Sequence, residues 1–270
     1  MKKIILIGCG HMGHALLNSM LNKKNLISIV DPKSYANLKK KFNNKNINIY
    51  KSLGNISDLP TYDFIIFAVR PSELRSVFKE LTNLSIKANA IVISVIAGKK
   101  IAIFKNNIPK LKKIVRVMPN MPALIGQGMN CMASNKFISK KDKREIESLF
   151  EKSGIVIWLR NENEIDMATA VSGSGPGFVF NIIDAMINSA KKLGFTNNVS
   201  KTLVHQTFKG SLDLLVQSKL EAYELVEKVA TKGGTTEAGL KVMKQKKIHN
   251  IFSNVIKSSY ERAKKQGLLK

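Results

Sequence analysis

Three stretches hold residues whose types and order suit the handling of anions. Gly8-Cys9-Gly10-His11-Met12-Gly13 is a GxGxxG run that follows the apolar segment Ile4-Ile5-Leu6-Ile7 directly. Between a strand and a helix this pattern has a mechanism: Gly8 permits a tight turn, Gly10 lets a pyrophosphate approach the backbone, and Gly13 lets the helix pack closely. Thr231-Lys232-Gly233-Gly234-Thr235-Thr236 runs into a helical pattern, so the Thr235 and Thr236 amides point out of a helix start with the dipole behind them. That is a seat for a small carboxylate, although the same residues also fit an ordinary Thr-capped helix. Ser172-Gly173-Ser174-Gly175-Pro176-Gly177 is a run of small residues before a long apolar helix. Pro176 fits a first helical position with Ser174 or Gly175 as cap, which predicts a helix mouth with outward amides. Tight helix–helix packing is the competing reading.

The elements that must position these groups alternate in character. Strands are expected at 3–7, 26–30, 46–50, 63–69, 90–95, 113–118 and 155–159, with a helix at about His14 to Lys23 after the glycine run. Strands separated by helical segments predict a doubly wound parallel sheet of Rossmann type, with ligands at the carboxyl ends of the strands. Asp31, eighteen residues past Gly13, stands where an acid bonds an adenosine ribose hydroxyl. Lys33, Ser34, Lys39 and Lys40 follow it and suit a 2′-phosphate, so NADH and NADPH both stay open. Ala68-Val69-Arg70-Pro71, Ala97-Gly98 and Met118-Pro119-Asn120 fall at the same strand ends.

From about Glu162 only helical periodicity remains. Apolar stripes run through Phe178, Ile182, Ile183, Met186 and Ala190 and through Leu203, Val204, Phe208, Leu212 and Leu215, and a more amphipathic one through Ile248, Ile251, Phe252, Val255 and Ser259. The expected division is a dinucleotide-binding domain over 1–161 and an all-helical dimerisation and substrate-binding domain over 162–270. Such wide stripes suit a self-associating unit.

Composition bounds the function classes. The net charge is +25, from 44 basic and 19 acidic residues. Only Arg70, Arg75, Arg116, Arg144, Arg160 and Arg262 are arginine, the side chain that reads bases and phosphates bidentately, and the lysines are scattered. No nucleic-acid partner is expected. No run of consecutive apolar residues reaches the roughly 20 that span a bilayer, so no membrane partner is expected either, and a cytoplasmic location is. Cys9 and Cys131 form no CxxC pair. His11 and His14 are spaced like metal ligands but lack a carboxylate or cysteine cluster, so no metal is expected.

Gly8 to Gly13, Ala68 to Pro71, Arg116-Val117-Met118-Pro119-Asn120, Ser172 to Pro176 and Gly233 to Thr236, in this order and spacing, resemble the pyrroline-5-carboxylate reductase family over nearly the whole chain. The resemblance implies a C-terminal domain that dimerises, as a homodimer or a higher oligomer of dimers, with substrate at the interface. It implies that Gly8, Cys9, Gly10, His11, Met12, Ser34, Asn55, Ala68, Val69, Arg70 and Pro71 line NADPH or NADH. To these, position adds Gly13, Asp31, Ala97 and Asn120. It further implies that Gly233, Gly234, Thr235 and Thr236, with Ser172, hold 1-pyrroline-5-carboxylate, and that Thr236 faces the ring nitrogen as the catalytic residue. Met121, Ile96, Lys232 and Gly177 depart from the family's usual Thr, Ala, Pro and Ala.

The implied reaction is hydride transfer to the C=N carbon, giving L-proline. It needs positioning more than a strong base. A β-hydroxyacid dehydrogenase-like oxidoreductase shares the two-domain plan, but the segment Phe178-Val179-Phe180-Asn181 lacks the lysine that class uses. A non-catalytic NAD(P)H-binding module is the other alternative.

Overall fold

The run Ile4-Ile5-Leu6-Ile7 has no polar side and is buried on both sides. Ile4 and Leu6 enter one apolar cluster with Leu16, Leu17 and Phe150, while Ile5 and Ile7 enter another with Phe67, Phe78 and Phe104. A strand of this kind must lie in a sheet covered on both faces. The computed structural model describes residues 2–21, 25–42, 45–56, 61–82 and 86–268. Its sheet has eight strands in the order β3-β2-β1-β4-β5-β6-β7-β8. Strands β1 (Lys2–Ile7), β2 (Asn25–Val30), β3 (Ile47–Tyr50), β4 (Phe64–Phe67), β5 (Ile91–Ser94) and β6 (Lys113–Met118) are parallel. Strand β7 (Gly128–Ser134) pairs antiparallel with β6, and β8 (Gly154–Trp158) pairs parallel with β7.

Helices α1 (His11–Met20), α2 (Tyr35–Lys41), α3 (Leu74–Thr82), α4 (Ile101–Asn107) and α5 (Lys140–Phe150) accompany the sheet. Helix α1 begins three residues earlier than the sequence suggested, because Gly10 is its N-cap. The expected end at Lys23 lies outside the described residues. Phe67 of β4, Phe78 of α3 and Phe104 of α4 pack as edge-to-face or tilted pairs with centroids 5.0–6.0 Å apart, which fastens two helices to one sheet face.

Two units make up the chain: residues 1–174 with 259–270, and residues 175–258. The division expected at 161/162 falls inside the first unit. Helix α6 (Asn163–Ala168) stays with the sheet because Ile165 is fully buried against Cys131 and Ala133 of β7. Its Asp166 also accepts a 2.9 Å hydrogen bond from Arg116 Nη2 of β6, both side chains being buried. Truncating one member of such a pair strands the other charge in the interior. Asp166→Ala is expected to lower stability by about 3 kcal/mol, read as a shifted urea-unfolding midpoint of the sheet unit, with Arg160→Ala on the surface as the near-silent control.

The second unit contains α7 (Gly175–Lys192), α8 (Asn197–Ser218), α9 (Ala222–Val229), α10 (Thr235–Gln245) and the first part of α11 (Ile248–Leu268). Only Ile187 and Val204 among its described apolar side chains are buried, whereas Phe180, Leu212, Val216 and Val229 are more than half exposed. A helical unit with so small an interior of its own needs its apolar stripes covered. The helical run 163–192 is, by length and composition, long and apolar enough to cross a bilayer. Counting consecutive apolar residues did not single it out.

Candidate functional site

The six parallel strands point their carboxyl ends to one edge of the sheet, and the expected cofactor residues lie there. Gly8, Cys9 and Gly10 form the turn after β1, with His11, Met12 and Gly13 in the first turn of α1. Asp31 follows β2, Ser34 stands at the N-cap position of α2, and Asn55 closes a short 3-10 turn after β3. Ala68 to Pro71 follow β4, Ala97 follows β5, and Asn120 follows β6.

Backbone geometry divides the glycines by task. Gly8 has φ +93°, and an added Cβ would lie 2.7 Å from the Ala68 carbonyl. A Cβ on Gly13 would lie 2.5 Å from the Gly8 oxygen. Gly10 is exposed and a Cβ there meets no protein atom, which leaves open space at the start of α1 for a ligand phosphate. Beside this loop is a cavity of about 360 Å³ whose walls include Gly8, Asp31, Lys33, Ser52, Val69 and Glu73. The chemistry of that lining and the bare Gly10 fit the adenosine and pyrophosphate of a dinucleotide.

Asp31 has a role that its spacing from Gly13 did not disclose. Its carboxylate accepts the Cys9 N–H at 2.7 Å, the Lys33 N–H at 2.9 Å and the Ser34 N–H at 2.8 Å. It clamps the glycine loop to the β2–α2 turn. Cys9 lies against it, and burial first, then the Asp31 charge, pushes its thiol up to about 12. Such a thiol is inert at neutral pH. Burial likewise raises the Cys131 thiol.

The small-residue run departs from the expected helix mouth. Residues Thr169–Gly173 form a π turn between α6 and α7, and the Ser174 N–H donates to the Thr169 carbonyl at 2.8 Å. That amide is therefore spent inside a continuous helical run instead of facing outward. Pro176 has no N–H for the Ser172 carbonyl four residues back; Asn120 Nδ2 donates to that carbonyl at 3.1 Å. Asn120 Oδ1 accepts the Met129 N–H at 2.9 Å, so its amide cross-braces the end of β6. The Ser172 hydroxyl donates to the Ala168 carbonyl at 2.9 Å. A Cβ on Gly173 would lie 2.7 Å from Met118 Cε, the end of a flexible side chain that can shift to admit it. Insertions of this kind in a helix recur at functional sites.

The Gly233 turn takes the form the sequence suggested. Gly233 has φ +76°, and Gly234 is the N-cap of α10. Thr235 and Thr236 are its first two residues, and helix geometry leaves their amides without an intrahelical acceptor. Glu237 Oε2 accepts the Gly233 N–H at 2.6 Å, holding the turn. A Cβ on Gly234 would lie 2.5 Å from the Thr231 hydroxyl. A concavity of about 660 Å³ beside the turn is lined by Gly233, Gly234, Glu237, Lys241 and Lys244; Thr235 and Thr236 are not among its lining residues.

A Rossmann unit with a bare pyrophosphate loop, followed by a helical unit carrying an amide-rich turn, defines a nicotinamide-dependent oxidoreductase. Residues 162–266 match the family model described as pyrroline-5-carboxylate reductase dimerisation. Residues 3–98 match one described as NADP oxidoreductase, coenzyme F420-dependent. A pyrroline-5-carboxylate reductase of Pseudomonas aeruginosa is 30% identical over 201 residues, covering 74% of this chain and 73% of that protein. One from Aquifex aeolicus is 29% identical over 266 residues, 97% of each. The crystal structure of a Plasmodium falciparum pyrroline carboxylate reductase with NADP bound superposes with a TM-score of 0.84, at 29% identity and 98% coverage of both chains. The chain belongs to the pyrroline-5-carboxylate reductase family. Its helical region is the part that self-associates, which accounts for the uncovered apolar stripes.

Proposed function

We infer that the chain reduces 1-pyrroline-5-carboxylate to L-proline with NAD(P)H, and that its two amide-lined turns divide the work. The carrying observation is the start of α10, where two consecutive threonine amides open a helix whose turn is held by Glu237 and Gly234. Such a start binds a carboxylate through N–H groups and the dipole.

When bound, NAD(P)H supplies the hydride. Gly10 accommodates the pyrophosphate, Gly8 and Gly13 shape the loop around it, and Cys9, His11, Met12, Ser34, Asn55 and Ala68 to Pro71 complete the wall. Ala97 and Asn120, with Ser172 behind it, line the crevice toward the reacting end. The Thr235 and Thr236 amides hold the substrate carboxylate. The Thr236 hydroxyl donates to the imine nitrogen and relays a proton from water. The ring thus gains a hydride at carbon and a proton at nitrogen. Orientation of this kind contributes roughly 7–11 kcal/mol at best, which suits a site built from amides and a hydroxyl. The working state is a homodimer in which the turn at the start of α10 meets a nicotinamide in its own or its partner's subunit. Two free, unpaired cysteines fit a reducing compartment, the cytoplasm.

Steady-state absorbance kinetics with 1-pyrroline-5-carboxylate and each nicotinamide test the assignment. Imine-dependent NAD(P)H oxidation yielding proline is the expected result. Oxidation of hydroxyacids, or nicotinamide binding with no turnover, would overturn it in favour of the dehydrogenase or the sensor module respectively.

A further inference from the structure

The lining of the 360 Å³ cavity includes a solvent-exposed ion pair. Lys33, on the β2–α2 turn, reaches Glu73, just before α3, with Nζ 2.5 Å from Oε1. Glu73 is itself tethered, since Oε2 accepts the Arg70 N–H at 3.2 Å. The Lys33 hydrogen bond holds the Glu73 carboxyl below its ordinary range, so it is ionised at neutral pH. In a doubly wound sheet the adenosine 2′ position lies beyond the second strand, beside the turn that Asp31 opens and Lys33 continues. Three carboxylates, Asp31, Glu73 and Glu80, face this cavity against two ammonium groups, Lys33 and Lys51. Glu80 is fixed by the Leu53 N–H at 3.2 Å, and Lys51 lies over the Tyr35 ring at 5.2 Å.

We propose that Glu73 sets the choice of nicotinamide, by occupying Lys33 and placing a fixed negative charge beside the 2′ position, so that this chain prefers NADH. A 2′-phosphate carries charge of the same sign as Asp31 and Glu73. The cation nearest in sequence to Asp31 that suits it is already engaged. A 2′-hydroxyl meets neither penalty and finds the remaining acceptor capacity of Asp31. Juxtaposed like charges are a recognised way of rejecting the wrong ligand. Of the residues after Asp31 that the sequence left open as a 2′-phosphate seat, Lys33 is thereby given to Glu73 instead.

The inference rests on reading this cavity as the adenosine end of the dinucleotide site. The experiment is fluorescence titration of the full-length protein with NADH and with NADPH, without imine, alongside kcat/KM for each. Wild type is expected to bind NADH about tenfold more tightly than NADPH. Glu73→Gln keeps an oxygen for the Arg70 amide, and it is expected to shift the ratio about tenfold toward NADPH. Adding Lys33→Met should remove part of that shift, because the freed ammonium is lost while the Glu73 charge stays absent. A wild-type preference for NADPH, an unchanged ratio in Glu73→Gln, or a shift left undiminished by loss of Lys33 overturns the proposal and leaves the reductase reading intact. Failure of both nicotinamides to bind wild type overturns the two together.

Discussion

Gly10→Val is expected to weaken binding of either nicotinamide about a hundredfold or more while leaving the thermal unfolding midpoint of the free protein nearly unchanged. Gly8→Ala is expected to do the reverse first, lowering stability by about 3 kcal/mol and losing cofactor affinity as a consequence. The two glycines sit in one turn, yet the space around them is opposite in kind. A Cβ at Gly8 collides with the Ala68 backbone, and its φ of +93° disfavours any L side chain. A Cβ at Gly10 touches nothing, so apart from a weaker N-cap the cost of a side chain there is exclusion of the phosphate from the amides at the start of α1. Titration by nicotinamide fluorescence, paired with unfolding monitored by circular dichroism, separates the effects. If Gly10→Val retained wild-type affinity, the pyrophosphate would not lie on this loop. If it unfolded the protein, Gly10 would be a packing glycine like Gly8.

Much of the sheet was legible because its strands are buried on both faces and read as short apolar runs, as in Ile4 to Ile7, Phe64 to Phe67 and Ile91 to Ile93. Strand β7 was not legible. Gly128-Met129-Asn130-Cys131-Met132-Ala133-Ser134 contains no β-branched or aromatic residue, and its extended state comes from pairing with β6 and β8. The segment 170–177 misled for a related reason. Proline among glycines resembles a helix mouth, but the orphaned Ser172 carbonyl is answered by Asn120, 52 residues away, and no local pattern carries that. Asp31 was half legible: its bonds to the Lys33 and Ser34 amides are an Asx turn readable from Asp-Pro-Lys-Ser, whereas the bond to Cys9 is a tertiary fact. The end of α11 returns to the first unit, with the Ser259 hydroxyl donating to that of Ser174 at 3.0 Å and Gln266 packed on Gly98. A stripe of helical periodicity cannot say which unit it serves.

Thr236→Val should lower kcat about a hundredfold with little change in nicotinamide affinity, whereas Thr236→Ser should recover much of the rate. The site of the substitution is favourable for such a test. Thr236 is the second residue of α10 and the N-cap position is held by Gly234, so the Thr236 hydroxyl does not occupy the capping position of the helix. Valine is nearly isosteric and keeps the amide that holds the carboxylate, so substrate binding should survive while the proton at the imine nitrogen is lost. A missing hydrogen bond to a group that gains charge in the transition state costs about 2.7 kcal/mol, or a hundredfold, when the site excludes water. The contrasting variant is Gly234→Ala, whose Cβ would lie 2.5 Å from the Thr231 hydroxyl. It displaces the turn that presents both amides, so it should raise KM for the imine by tenfold or more, with a smaller effect on kcat. The split between the two variants is the informative result: a hydroxyl that donates to the imine nitrogen changes kcat, and a turn that seats the carboxylate changes KM. Wild-type kcat in Thr236→Val would remove the hydroxyl from the chemistry, and an unchanged KM in Gly234→Ala would remove the start of α10 from substrate binding.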